Sequence, residues 1–256
     1  MPMKSLFQAL VVSTFTLVSS SAISSAETIR VAGTPSGKPF TFLDVKTNKL
    51  QGAMVDLMTE VAKAEGLDAQ IDVLAWPSII PALTSKRIDV GIAAATITEE
   101  RSKVIGFTVP IFPYAEGLIV AASNPQDYSS LKDLEGKSVG TQAGTTYFTY
   151  LKNSGVNMDI KVYDGIPEIV HDLTLGRIAA GIASYPIFAM RLAEGDTRYR
   201  LSPTYKSGEI GQVAFMVAKD RPELTARLNS GIKKLQESGK LHQILAKWHV
   251  DKTVSE

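Results

Sequence analysis

The residue with the clearest binding chemistry is Arg101, at the end of the segment Thr96-Ile-Thr-Glu-Glu-Arg. A guanidinium presents paired N–H donors in a rigid fork that matches the two oxygens of a carboxylate. Thr96 adds a hydroxyl and a backbone N–H, and Thr98 has the residue type of a helix N-cap. The segment favours a site that binds an anion. The alternative is a surface arginine paired with Glu99 or Glu100.

A second segment suited to an anion is Gly144-Thr145-Thr146, where a predicted strand meets a predicted helix. The first N–H groups of a helix lack intrahelical partners and lie at the positive end of the helix dipole. Thr145 fits equally well as an ordinary N-cap. Gln142 and Tyr147 flank the turn, and we expect both to line the pocket and shape its specificity.

An internal repeat indicates how these segments are positioned. The 11 residues 83–93, Leu-Thr-Ser-Lys-Arg-Ile-Asp-Val-Gly-Ile-Ala, recur at 173–183 as Leu-Thr-Leu-Gly-Arg-Ile-Ala-Ala-Gly-Ile-Ala, with 7 identities. Each copy has the pattern of a helix end, a turn and a short apolar strand, which is half of a parallel α/β unit. Ligands collect beyond the carboxyl ends of strands in open α/β sheets. The repeat, unless it is due to chance, predicts two facing strand ends near Ala94 and Ser184.

The first 26 residues have the pattern of a secretory signal peptide. Lys4 precedes a mostly apolar run, and Ser24-Ser-Ala26 forms a small-x-small cleavage site. We expect cleavage after Ala26 and a soluble periplasmic protein. The alternative is an N-terminal anchor helix, although Ser, Thr and Gln interrupt the apolar run.

Composition narrows the partners. The full chain has 27 basic and 26 acidic residues. Signal-peptide cleavage removes one basic residue, Lys4, and no acidic residue, so the mature chain has equal numbers of both. A neutral chain argues against nucleic acid or an anionic membrane surface as the main partner. The chain has no cysteine, so it carries neither a disulfide nor a lipidated N-terminal cysteine. We expect a monomer without metal or cofactor.

The remaining pattern predicts an α/β protein of two lobes. Long apolar runs at 117–122 and 213–218 fit strands that pass from one lobe to the other. We expect hinges near residues 118–123 and 212–217. Lobe 1 would then comprise residues 27–118 and 217–256, and lobe 2 residues 123–212. Two crossing strands make a hinge, and hinged lobes close around a ligand.

Motifs along nearly the whole mature chain follow the order and spacing of one family. They are Gly52 to Gly66, Trp76-x-x-x-Ile80-Pro-Ala-Leu83, Arg87-Ile-Asp-Val90, Thr96-Ile-Thr-Glu-Glu-Arg101, Phe107-Thr-x-Pro110, Leu134-x-Gly-Lys-x-Val-Gly140 and Gly144-Thr-Thr146. The chain resembles the polar-amino-acid class of periplasmic solute-binding proteins, the capture subunits of ABC importers. The Thr-Ile-Thr-x-x-Arg segment is the most specific of these motifs.

The resemblance implies a two-lobe, two-hinge fold that closes on one small ligand without catalysis, and a membrane permease as partner. It implies that Arg101 binds the ligand's α-carboxylate and that the backbone at Ala94 contributes. The Thr145–Thr146 turn would supply the second lobe's contact. Trp76 would stack on the ligand; the alternative is that it is an ordinary tryptophan of the hydrophobic core. Phe40 would lie near the cleft edge.

The chain departs from the family where a charged partner for the ligand's ammonium is usual. Ser184 replaces an aspartate at the end of the second repeat strand, Thr34 replaces another in the first loop, and Gly37 stands where the first-loop aromatic is expected. A buried ammonium without a counter-charge is unfavourable by several kcal/mol. Glu116 or Asp44 are possible substitutes, although both residue types more often lie on solvated faces. An N-substituted or cyclic amino-acid derivative, or another small carboxylate, therefore fits better than a standard amino acid.

Two other functions compete with capture for import. One is a prephenate or arogenate dehydratase of the same fold, which needs a positioned general acid. The sequence shows no carboxylate or histidine cluster at cleft positions and no metal-ligand spacing, so we expect no enzyme. The other is a ligand sensor that docks on a membrane receptor, which differs only in its partner.

Overall fold

The computed structural model describes residues 26–208 and 210–250, so most of the expected signal peptide lies outside the described residues. The first half of the chain contains β1 (Glu27–Gly33), β2 (Ser36–Gly37), β3 (Thr41–Asp44), β4 (Lys49–Gln51), α1 (Ala53–Ala64), β5 (Leu67–Val73), α2 (Trp76–Thr84), β6 (Val90–Thr96), α3 (Glu99–Ser102), β7 (Gly106–Phe107) and β8 (Phe112–Ala121). The second half contains β9 (Ser138–Gln142), α4 (Thr146–Asn153), β10 (Asp159–Tyr163), α5 (Ile166–Thr174), β11 (Ala180–Ser184), α6 (Tyr185–Ala193), β12 (Tyr199–Leu201), β13 (Ile210–Val217), α7 (Pro222–Glu237) and α8 (Lys240–Lys247). A 3₁₀ turn, Leu131–Leu134, precedes β9.

Helix α1 shows how local sequence sets an element. Its apolar residues recur every three or four positions, so they form one buried face, which comprises Met54, Leu57, Met58, Val61 and Ala62. The helix begins after Gly52, whose φ is 129°. A Cβ at Gly52 would lie 2.2 Å from the carbonyl oxygen of Phe40, so only glycine fits this approach.

The main sheet is mixed, with the strand order β10-β9-β11-β8-β13-β6-β1-β5; β12 also pairs with β8 and β7 with β13. At one end β1 is parallel to β5 and β6, and at the other end β9 is parallel to β10 and β11. The two repeat copies therefore end in β6 and β11, one in each parallel group. This arrangement gives two α/β lobes.

Strands β8 and β13 join the two lobes. Residues 112–115 of β8 pair antiparallel with residues 210–213 of β13. Further along, β8 pairs through residues 116–119 with β11, and β13 pairs through residues 213–217 with β6. The pairing partner of each strand thus changes within the strand. The ranges in which the sequence predicts hinges, 118–123 and 212–217, begin on these same two strands.

Helices α7 and α8 return to the first half of the chain and pack against α1. Leu228, Ile232 and Leu235 of α7, with Leu241 and Ile244 of α8, are buried there. Within residues 26–208 and 210–250, no helix combines the length and the apolar character that a membrane span requires.

Candidate ligand-binding site

A cavity of about 320 Å³ lies between the two lobes, at the ends of β6 and β11. This volume lies at the lower end of the range of about 300–1,000 Å³ found for ligand pockets, which suits a small solute. All ten residues predicted from the sequence lie on its wall: Phe40, Trp76, Ala94, Thr96, Arg101, Gln142, Thr145, Thr146, Tyr147 and Ser184. The structure thus brings together the two segments that the sequence predicts to bind an anion. That these residues bind a ligand stays a prediction.

Arg101 is the central charged group of this wall. Thr98 caps the short helix α3 by accepting a hydrogen bond from the backbone N–H of Arg101, as its residue type predicts. The guanidinium Nη1 donates to the carbonyl and hydroxyl oxygens of Thr96, at 2.8 and 3.0 Å. Nη2 donates to the carbonyl oxygen of Gly144 in the other lobe, at 2.9 Å. A guanidinium has five N–H donors, so at least two remain for a ligand.

The guanidinium of Arg101 is buried without a carboxylate among these partners. Its residue is 8% exposed, and all three hydrogen bonds go to neutral oxygens. Burial lowers the pKa of Arg101, with desolvation as the main cause. A buried cation without a counter-charge is unfavourable by several kcal/mol, so the site is electrostatically complementary to an anion.

The turn that begins α4 supplies the second lobe's face of the cavity. The Thr145 hydroxyl accepts from the backbone N–H of Phe148 and donates to the carbonyl oxygen of Gln142. Thr145 is therefore the N-cap of α4, and Thr146 is the first helical residue. The Gln142 side chain donates to the carbonyl oxygen of Asp164, at 2.8 Å, which fixes the amide on the cavity wall.

Aromatic rings form the apolar part of the wall. The Trp76 ring is half-buried against the core and lies under the Arg101 guanidinium, with 5.4 Å between the ring centroid and Cζ. Phe40 is 3% exposed; its ring stacks on Phe112 and packs at a tilt against Tyr114, both at 5.6 Å between centroids. Phe40 is thus a core residue as well as a wall residue. Tyr114, absent from the sequence prediction, lines the cavity too.

The two repeat strands end on this cavity, as their spacing predicts. Ala94 has φ of 51°, a left-handed conformation that is unfavourable for a residue with a Cβ. Its carbonyl oxygen accepts a hydrogen bond from the Tyr114 hydroxyl at 3.1 Å. At the end of β11, the Ser184 side chain is buried, and its hydroxyl lies beside that of Tyr147 without a well-formed hydrogen bond among the described residues.

Tyr147 carries the second such hydroxyl, which is buried close to the hydroxyls of Tyr114 and Ser184 but makes no well-formed hydrogen bond in the described part of the chain. Burial raises the pKa of Tyr147 well above 10, and Tyr114 and Glu116 nearby raise it further. The phenol is therefore neutral at any physiological pH and can both donate and accept a hydrogen bond.

The acidic residues near the cavity differ from those the sequence indicated. Glu116 is 2% exposed rather than solvated, and its carboxylate accepts from Tyr205, Ser207 and the Gly208 N–H. It does not line the cavity, nor does Asp44, which accepts hydrogen bonds within its own turn.

Two carboxylates on the wall were missed, Asp164 and Glu168. Both are exposed. Asp164 directly follows the carboxyl end of β10, and Glu168 lies in the first turn of α5. This is the same strand-to-helix position that identified Thr145. That positional rule, applied to every parallel strand, would have found them.

The three histidines of the chain do not line the cavity. His171, His242 and His249 are exposed and are not part of its wall. Within the described ranges, no three His, Cys, Asp or Glu side chains lie close enough to hold a metal ion.

Comparisons with known proteins agree with this geometry. The profile of the family described as "Bacterial extracellular solute-binding proteins, family 3" matches residues 29–251. The L-cystine-binding protein TcyJ of Escherichia coli (strain K12) is 31% identical over 214 residues, covering 82% of this chain and 78% of the relative. The octopine-binding periplasmic protein of Rhizobium meliloti is 28% identical over 240 residues, covering 84% of this chain and 81% of the relative. A solved structure, "An ancestral arginine-binding protein bound to glutamine", has a TM-score of 0.77 and 32% identity, covering 86% of this chain and 97% of that one.

Proposed function

Because this chain belongs to family 3 of the bacterial extracellular solute-binding proteins, we propose that it captures a small solute with a carboxylate and delivers it to the permease of an ABC importer. The solute is an amino acid or an amino-acid derivative. Relatives named for binding L-cystine and octopine support this class of ligand.

The observation that carries the proposal is the buried guanidinium of Arg101, whose three hydrogen bonds all go to neutral oxygens. A carboxylate supplies the missing charge and accepts the remaining N–H donors in a bidentate geometry. Thr146, the first residue of α4, lines the same cavity from the other lobe, and its backbone N–H has no partner within the helix. One anion can therefore bind both lobes at once.

Capture requires that the lobes open and close. We place the pivot where the partners of β8 and β13 change, around residues 113–116 and 210–213, a few residues before the ranges predicted from the sequence. Cleavage after Ala26 would leave residues 27–256 as a monomer in the periplasm, free to diffuse to its permease.

The test compares ligand binding by the wild type and Arg101→Ala. A thermal-shift screen against amino acids, opines and small organic acids identifies the tightest carboxylate, because a bound ligand raises the melting temperature. Calorimetry should then show a loss of at least ~2 kcal/mol in binding free energy for Arg101→Ala. Arg87→Ala, which removes an exposed arginine outside the cavity, is the matched control and should bind as the wild type does. Unchanged affinity in Arg101→Ala would remove the carboxylate site.

Dehydratase activity has weaker support. A general acid needs a raised pKa, which burial provides, and the two carboxylates on the described cavity wall are exposed. The sensor alternative shares this site and differs only in the membrane partner.

A further inference from the structure

The hydroxyls of Ser184 and Tyr147 form an uncharged polar subsite in the cavity. Both residues are 4% exposed and both line the cavity. The two hydroxyls lie beside each other and interact, but neither makes a well-formed hydrogen bond among the described residues. A buried hydroxyl that lacks a well-formed hydrogen bond destabilises the unliganded protein. Two such groups on one wall indicate a ligand that supplies their hydrogen bonds.

Each hydroxyl can donate one hydrogen bond and accept others, but neither can neutralise a charge. The fit is therefore to a carbonyl, a hydroxyl or an amide N–H. A primary ammonium needs acceptors and a counter-charge, and a hydroxyl provides only the former.

The nearby charges reinforce this selectivity. Arg101 is the buried cation of the cavity, and a carboxylate with no other charge would neutralise it. A zwitterionic amino acid would leave one positive charge in excess. Among the described residues, Asp164 and Glu168 are the carboxylates on the wall, and both are exposed, where water screens their attraction.

The strand partner of Ser184 does not supply the charge either. Ser184 pairs with Glu116 across β11 and β8. The Glu116 carboxylate is engaged by the Tyr205 and Ser207 hydroxyls and by the Gly208 N–H, and it lies outside the cavity wall.

We propose that the captured solute carries an uncharged hydrogen-bonding group, such as an acylated nitrogen, a hydroxyl or a keto oxygen, where a standard amino acid carries its α-ammonium. This inference rests on the proposed function. It assigns the carboxylate to Arg101 and the uncharged group to Ser184 and Tyr147.

The experiment uses matched probes, so that the side chain of the ligand is held constant. Purified exported protein is unfolded, dialysed to remove bound solute and refolded. Its affinity is then measured for the common L-amino acids, for their N-acetyl derivatives and for the corresponding 2-hydroxy acids. We expect the best N-acetyl or 2-hydroxy compound to bind at least about tenfold tighter than the amino acid with the same side chain, equivalent to ~1.4 kcal/mol.

Variants at position 184 provide a second readout. Ser184→Asp should reverse the preference within the same pair, because a carboxylate there can pair with an ammonium. Ser184→Ala removes the hydroxyl without adding charge. It should weaken the N-acetyl or 2-hydroxy compound about three- to tenfold and should not improve binding of the free amino acid. The Ser184→Ala variant still tests the proposal if the buried charge of Ser184→Asp prevents that variant from folding.

Three results would overturn the inference. In the first, a free amino acid binds as tightly as its uncharged analogue. In the second, glycine betaine binds more tightly than any analogue, which would show that the aromatic rings of the wall bind a quaternary ammonium. In the third, no carboxylate of any set binds, and the proposed function fails together with the subsite.

Discussion

Gly211 of β13 lies directly against Thr96 of β6: a Cβ at Gly211 would be 2.1 Å from Cγ2 of Thr96. Thr96 is the residue whose hydroxyl and carbonyl oxygens accept hydrogen bonds from Arg101. Gly211 also pairs with Tyr114 of β8, in the segment where the two lobes are joined. The contact between Gly211 and Thr96 therefore links the strands that join the lobes to the wall of the cavity.

This contact predicts that Gly211→Ala weakens ligand binding although Gly211 is not on the cavity wall. The added methyl group overlaps the Thr96 side chain, which must turn away from Arg101, and such overpacking costs about 1–3 kcal/mol. Calorimetry should show a fall in affinity of about tenfold. Thr96→Ser, which removes Cγ2 and keeps the hydroxyl, should restore most of the affinity in the double variant. Gly106→Ala, where the nearest atom is 3.5 Å away, is the control.

A second prediction concerns the ion pair between Lys38 and Glu194, which connects the two lobes. Glu194→Lys replaces attraction by repulsion, so the closed state loses stability. Because exposed ion pairs contribute about 0.2–1 kcal/mol, ligand affinity should fall two- to fivefold, more at low salt. The double reversal, Lys38→Glu with Glu194→Lys, should recover the wild-type affinity. Small-angle scattering should show a larger radius of gyration for the single reversal under saturating ligand; equal curves would argue against a role in closure.

A third prediction follows from the backbone at Ala94. With φ of 51°, alanine is strained here by roughly 1–2 kcal/mol, and glycine is not. Ala94→Gly should therefore leave the free energy of unfolding unchanged or raise it slightly, since the greater flexibility of the unfolded chain offsets part of the relief. Ala94→Val should lower it by more than about 2 kcal/mol, because a β-branched residue fits this conformation poorly. Urea denaturation measures both. A more stable valine variant would contradict the strained conformation.

A fourth prediction is a pH dependence at Asp196. Hydrogen bonds from Arg198 and Arg191 lower the pKa of the Asp196 carboxyl to about 2 in the folded protein, from an ordinary value of 3.8. A lowered folded pKa stabilises the protein above the unfolded value, and this stabilisation is lost as pH falls from about 4 to 2. Asp196→Asn should reduce the free energy of unfolding by about 1 kcal/mol at pH 7.

The difference between Asp196→Asn and the wild type should shrink steadily below pH 4. Asp72→Asn, at an exposed position of β5, controls for the loss of one negative charge. A difference that stays constant down to pH 2 would show that the carboxylate charge is not responsible.

The cavity could be located from the sequence because its residues follow local patterns. Ala94 and Ser184 end the two repeat strands, Thr145 has the type and position of an N-cap, and Arg101 lies three residues after its own cap at Thr98. Each of these relations spans only a few residues, and the family resemblance then assigns them to one cleft. Their ligand roles remain predictions.

The environment of Glu116 was not predictable in the same way. From sequence alone, a glutamate in a predicted strand is expected to lie on a solvated face. The groups that donate hydrogen bonds to Glu116 lie about 90 residues later, at Tyr205, Ser207 and Gly208. The same applies to the point where β8 changes partners, which depends on its register with β13. Long-range pairing of this kind has no local sequence signal, so only the structure could supply it.

The position of β13 in the sheet has a consequence for the exported chain. This strand is the last of the main sheet to be synthesised, yet it lies between β6 and β8. A chain that emerges from the membrane N-terminus first therefore leaves one edge of β6 unpaired until residue 217 has followed, whereas the strands β9 to β11 have all their neighbours earlier. Unpaired edges recruit other strands and promote aggregation. The lobe whose synthesis begins first is thus the last to be completed. Its unpaired β6 edge is the part of the newly exported chain where binding by a periplasmic chaperone would best prevent aggregation.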